Sequence, residues 1–133
     1  MSAYIPRAMR QAIADRAGNR CEYCRLPRSP HKHQPDHILP LQHGGLTAAE
    51  NLALACYYCN HNKGPNVGSF DIETGRLVPF FNPRAQVWTE HFRLDGAAIQ
   101  PLTPEARVTA RLFRFNDPER VTERETWIDL GLY

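Results

Sequence analysis

The sequence predicts an α+β protein. Three observations carry this reading. Two short apolar runs, 36–41 (DHILPL) and 52–55 (LALA), have the length of strands. Segments near both ends of the chain space their apolar residues at helical intervals. Two CxxC pairs, Cys21/Cys24 and Cys56/Cys59, enclose the apolar runs with 31 residues between them.

Residues 6–17 place Met9, Ile13 and Ala17 on one helical face, with Pro6 in the first turn and Gly18-Asn19 as the stop. The first CxxC follows. Residues 25–35 hold three prolines without a period and are expected to be a loop, with His31 and His33 exposed. His43-Gly44-Gly45 reads as a turn between the two strands, and the second CxxC opens a short helix, NHNK, stopped by Gly64 and Pro65. Beyond it, residues 69–81 read as a hairpin turning at Glu73-Thr74-Gly75. Residues 87–94 and 98–102 read as a second hairpin around Asp95-Gly96. Thr103-Pro104-Glu105 and Asp117-Pro118-Glu119 are helix starts. The first helix carries Val108, Leu112 and Phe115 as its apolar stripe, and the second runs to about Leu130 before Gly131. Phe80, Phe81, Trp88, Phe92, Phe113, Phe115 and Trp127 are expected in the core.

The chain has 133 residues, of which 42% are hydrophobic and 23% charged, a balance that excludes collagen, a disordered tail and a coiled coil. That length suits a single domain over 1–133. It would comprise a core at 18–66, an N-terminal helix and a C-terminal extension at 67–133. No run of 18 apolar residues occurs, so no membrane association is expected. The start, MSAYIPRAMRQAI, has no secretory h-region, so a cytoplasmic location is expected. Residues 1–35 carry seven Lys/Arg against two Asp/Glu. Such a segment lies along a phosphate backbone or forms a solvated helix face, and charge alone does not choose.

Two CxxC knuckles suit tetrahedral zinc, because each tight turn offers two thiolates to one side of the ion. Thioredoxin-like redox pairs are the other reading of the same motif. The interval between the pairs exceeds that of a compact zinc ribbon, so the site encloses a sizeable insert.

The insert holds the informative polar residues. Cys21-x2-Cys24, Asp36-His37-Ile38, Gly44-Gly45, Glu50-Asn51-Leu52, Cys56-x2-Cys59-Asn60 and Lys63-Gly64 together resemble the HNH endonucleases, whose shared fold is the ββα-metal (His-Me) finger. The match spans about a third of the chain. The segments 79–92 and 95–113 also resemble the C-terminal extension of small bacterial HNH proteins. The resemblance implies a zinc-stabilised ββα-metal core with flanking helices and hairpins, and a phosphodiester hydrolase that cuts DNA on one or both strands. It implies His37 as general base, Asp36 and Asn60 as ligands of a catalytic Mg²⁺ or Mn²⁺, and Asn51 as the residue that orients the loop presenting His37. Cys21, Cys24, Cys56 and Cys59 would hold structural Zn²⁺. Asn60 stands where the family name has its last His, which makes this an HNN pattern. An amide oxygen is a hard neutral ligand that suits Mg²⁺ or Mn²⁺.

The chemistry fits those residue types. A neutral imidazole takes a proton near pH 7, and a carboxylate with a neutral oxygen ligand leaves a cation open to phosphate. Asp36 and His37 are adjacent on a strand, so they serve one site only if the strand ends or bends there. His61 is a substitute ligand candidate turned about 100° from Asn60. Lys63 is read as a phosphate contact or a solvated surface lysine, and His43 is the nearby histidine to test next. A non-catalytic zinc module binding nucleic acid or protein would keep the cysteines but needs no such polar set.

Overall fold

The computed structural model describes residues 4–27 and 32–133. They fall into two compact units, 1–67 and 68–133.

In the first unit, α1 (Arg7–Arg16) begins after Pro6 and ends at Gly18 and Asn19, both with positive φ. Its buried Ile13 packs with Ile5, Leu52 and Leu54, and Met9, Ala14 and Ala17 border the cluster. This is the face that the helical spacing marks. Strand β1 (Gln34–His37) pairs antiparallel with β2 (Leu52–Ala55), so that Asp36 opposes Ala53 and His37 opposes Leu52. The second apolar run has the expected bounds. The first does not: its strand starts at Gln34 and stops at His37, and Leu41–His43 form a 3-10 turn instead. Pro40 cannot donate to a ladder and leads into that turn, so the apolar letters of DHILPL overstate the strand. Helix α2 (Tyr57–Lys63) packs on both strands. It starts at Tyr57, three residues before NHNK, because the Cys56 sulfur accepts a bond from the Cys59 N–H and acts as its cap.

The second unit contains hairpin β3 (Gly68–Phe70)–β4 (Leu77–Pro79), hairpin β5 (Phe92–Asp95)–β6 (Ala98–Pro101) and helices α4 (Pro104–Leu112) and α5 (Pro118–Asp129). Residues Trp88–His91 form a short helix, α3, where a strand is expected. Only Trp88 of these four is buried, and the strand proper starts at Phe92. Thr103 caps α4 through a bond from the Ala106 N–H, as its sequence signal predicts. The buried face of α4 is Ala106, Val108, Thr109 and Ala110; of the expected stripe, Val108 and Phe115 are buried and Leu112 is half-buried. Thr109 Oγ1 donates to the Glu105 carbonyl and accepts from the Phe81 N–H, which satisfies a hydroxyl in the core. Phe80, Phe81, Trp88, Phe92, Phe113 and Phe115 are buried and Trp127 is half-buried. Ring pairs such as Phe80–Phe113 at 4.9 Å and Phe81–Phe92 at 5.3 Å meet edge to face.

Candidate active site

The two knuckles flank the strand pair in sequence and converge in space. The Sγ atoms of Cys21, Cys24, Cys56 and Cys59 all lie within 4.8 Å of one another, and all four residues are buried. No other group of three or more His, Cys, Asp or Glu among the described residues gathers in this way. Cys24 Sγ and Cys56 Sγ are 3.7 Å apart. Four sulfurs at zinc–thiolate distance around one tetrahedral centre are about 3.8 Å apart. Within each knuckle the second cysteine's N–H points at the first cysteine's sulfur at 3.5 Å. Burial pushes the Cys21 and Cys59 thiols well above the ordinary range, so they would become thiolates with a cation bound among them. Donor set, spacing and burial are those of a structural zinc site, and the four thiols form one cluster rather than two separate redox pairs.

On the strand pair, Asp36 is buried and His37 half-buried, on opposite faces of β1. The strand ends at His37, and the Ile38 N–H bonds the Asn51 carbonyl as the chain leaves it. Both residues line a groove of about 290 Å³ that Pro40, Leu41 and Gly64 also border. The imidazole Nε2 lies 2.9 Å from Thr47 Oγ1. Asn51 closes the loop with three side-chain bonds: its Oδ1 accepts from the Leu39 N–H at 2.9 Å, and its Nδ2 donates to the carbonyls of Leu39 and Leu46 at 3.0 and 2.8 Å. Gly45 belongs to the same construction. A Cβ there would sit 1.7 Å from the Leu39 carbonyl oxygen, so only glycine lets the loop approach.

Lys63 departs from both expectations for it. It is neither at the surface nor open to phosphate: its side chain is 2% exposed, with Nζ 3.1 Å from Asp36 Oδ2 and 2.8 Å from the His37 carbonyl oxygen. The Tyr23 hydroxyl is 3.5 Å from the same Oδ2. Burial raises the Asp36 carboxyl above its usual range, and the Lys63 ammonium pulls it back down. Both contacts fall on Oδ2, and Oδ1 has no partner among the described residues. Asn60 lies three residues before Lys63, on the same face of α2, and is half-buried. Its side-chain amide makes no hydrogen bond among the described residues. His61 is exposed and stacks on Tyr57 with ring centroids 5.7 Å apart. His43 is exposed, with Nε2 3.0 Å from the Pro65 carbonyl oxygen. His33 is buried rather than exposed, its Nε2 2.9 Å from the Leu26 carbonyl, while His31 falls outside the described residues.

A strand pair, a following helix and a four-thiol cluster around them define a small ββα metal-binding domain. Residues 21–66 match the model of the family described as HNH endonuclease, a family of nucleases acting on nucleic acids. No curated protein and no solved structure was found to match the chain. Among the described residues, no helix is long and apolar enough to cross a membrane.

Proposed function

We propose that the protein is a divalent-metal-dependent HNH endonuclease that hydrolyses phosphodiester bonds in DNA, in the cytoplasm. The observation that carries this is the end of β1. The strand stops at His37, so a buried carboxylate and a half-buried imidazole, consecutive in sequence, both reach one groove. With Nε2 engaged by Thr47, Nδ1 is the nitrogen left to receive a proton. A water in the groove would lose its proton to that nitrogen as its oxygen attacks phosphorus. The bond from phosphorus to the 3′ oxygen then breaks, and that oxygen takes a proton from solvent water, leaving a 5′ phosphate and a 3′ hydroxyl. Asp36 Oδ1 and the Asn60 amide oxygen, neither hydrogen-bonded among the described residues, are the pair that would hold Mg²⁺ or Mn²⁺. When bound, the cation supplies charge neutralisation at the phosphate and the leaving oxygen. Asn51 and Gly45 act as positioning residues by fixing the loop that follows His37.

The rival is a zinc module that binds nucleic acid without cutting, and the observation in its favour is that Lys63 already neutralises Asp36. Nicking of supercoiled plasmid separates the two. The proposal expects magnesium-dependent nicking that is stopped by EDTA and falls at least about 100-fold in His37→Ala, the usual worth of a general base. Tight plasmid binding without nicking, or nicking at the parental rate in His37→Ala, would overturn it.

A further inference from the structure

A second cleft, of about 310 Å³, lies where α1 meets the start of β1. Arg7, Arg10 and Gln11 contribute to it from one face of α1, at helical spacings of three and four. Lys32 and His33 come from the segment entering β1, and among the described residues no carboxylate lines it. The Arg10 guanidinium is fixed before any ligand arrives: Nε donates to the Ile5 carbonyl at 3.1 Å, and Nη1 donates to Gln34 Oε1 at 2.8 Å. Arg7 and Lys32 form no ion pair among the described residues. His33 supplies an independent sign. It is 9% exposed, its Nε2 is satisfied by the Leu26 carbonyl, and its Nδ1 is buried with no hydrogen-bond partner. A buried ring nitrogen without a partner costs free energy unless something completes it; with Nε2 donating to the Leu26 carbonyl, an oxyanion completes Nδ1 on a ring that carries a proton on both nitrogens.

We propose that this cleft is a phosphate-binding site that seats a backbone phosphate of the DNA. The assignment rests on the nuclease reading above and adds to it a place where the duplex is held. Three cations without a carboxylate select an oxyanion, and guanidinium groups match its geometry. Gln34 and His37 stand at opposite ends of β1, roughly 10 Å apart at the rise of a strand. The held phosphate therefore lies close to, but distinct from, the one to be cut.

The test is binding of a fluorescein-labelled 20-base-pair duplex to the full chain by anisotropy, with magnesium omitted and sodium chloride varied. Arg7 and Lys32 are the residues to change, since neither makes a bond that holds the fold. Arg7→Ser/Lys32→Ser is expected to weaken binding and to lower the slope of log K against log salt by about 0.9 for each phosphate lost, one to two phosphates in all. Arg76→Ser, a charge change in the second unit, is expected to leave the slope as it was. In parallel, the His33 Nδ1 resonance should move on adding duplex, with inorganic phosphate moving it only at far higher concentration. An unchanged slope in the double variant, an equal loss in Arg76→Ser, or a His33 response to inorganic phosphate as strong as to duplex overturns the proposal. Plasmid nicking by the parent with an unchanged slope sinks the cleft alone. A reduced slope in the double variant with no nicking by the parent sinks the nuclease reading alone.

Discussion

The Lys63 side chain is 2% exposed, and the two oxygens its Nζ reaches belong to consecutive residues, Asp36 and His37. Removing one partner of a buried pair leaves an uncompensated charge, which costs about 3–5 kcal/mol. Lys63→Met keeps most of the stem and deletes the ammonium. It is expected to lower the unfolding free energy by about 3 kcal/mol in urea, and Asp36→Asn added to it should restore part of the loss. A Lys63→Met protein as stable as the parent would show that the ammonium is solvated rather than structural. Nothing in the letters NHNK announces this role, because it depends on α2 lying across β1, a tertiary fact. His33 is similar: three prolines nearby make its segment read as an exposed loop, yet the ring is buried against Leu26. Asn51 is the opposite case. Its single short amide makes three backbone bonds around one loop, a local device of the kind that a loop asparagine can supply.

At the scale of elements, what was legible depended on local chemistry. The knuckles, the 52–55 strand, the Thr103 cap and the glycine stops are set within a few residues and stand where the sequence puts them. The 36–41 and 87–94 runs are strand over only part of their length, 36–37 and 92–94, because apolar letters alone do not distinguish a strand from a turn or a short helix. Two buried arginines on α5 were equally invisible. Arg120 donates to the Phe113 carbonyl and Arg124 to those of Ala97 and Phe115, so that helix is anchored by charge rather than by an apolar stripe. The first unit's strands have four residues each, too few to stand without support. Cys56→Ser should therefore lose bound zinc and unfold the first unit, read by metal analysis and by the loss of amide dispersion. A folded zinc-free variant with parental nicking would contradict the structural assignment of the thiols.

Across the whole molecule, each unit has its own stabilising device. In the second, Asp71 is buried and takes a two-pronged bond from Arg107 at 3.0 and 2.8 Å, with Thr74 Oγ1 donating as well. The Arg107 bond, with help from Thr74, holds the Asp71 carboxyl well below the usual carboxylate range. A depressed folded pKa adds stability that is complete above the unfolded value, about 3.9, and is lost as pH falls below it toward the folded value. Both tryptophans, Trp88 and Trp127, lie in this unit, so their fluorescence reports on it alone. Urea unfolding followed that way should give constant stability down to about pH 4 and a decline below it. Asp71→Asn should be less stable at pH 7 and should decline less below pH 4. An acid limb of equal steepness in the variant would place the titrating group elsewhere.

The four-thiol cluster joins segments that leave the ribosome at different times. At ordinary elongation rates the 31 residues between the pairs take roughly 2–6 s to emerge. During that interval Cys21 and Cys24 are an open dithiol on a nascent chain, accessible to oxidants and to cuprous ions, which thiolates bind strongly. Protection of the first pair thus depends on prompt arrival of the second, and a pause in translation between them would be expected to lower the yield of correctly metallated protein.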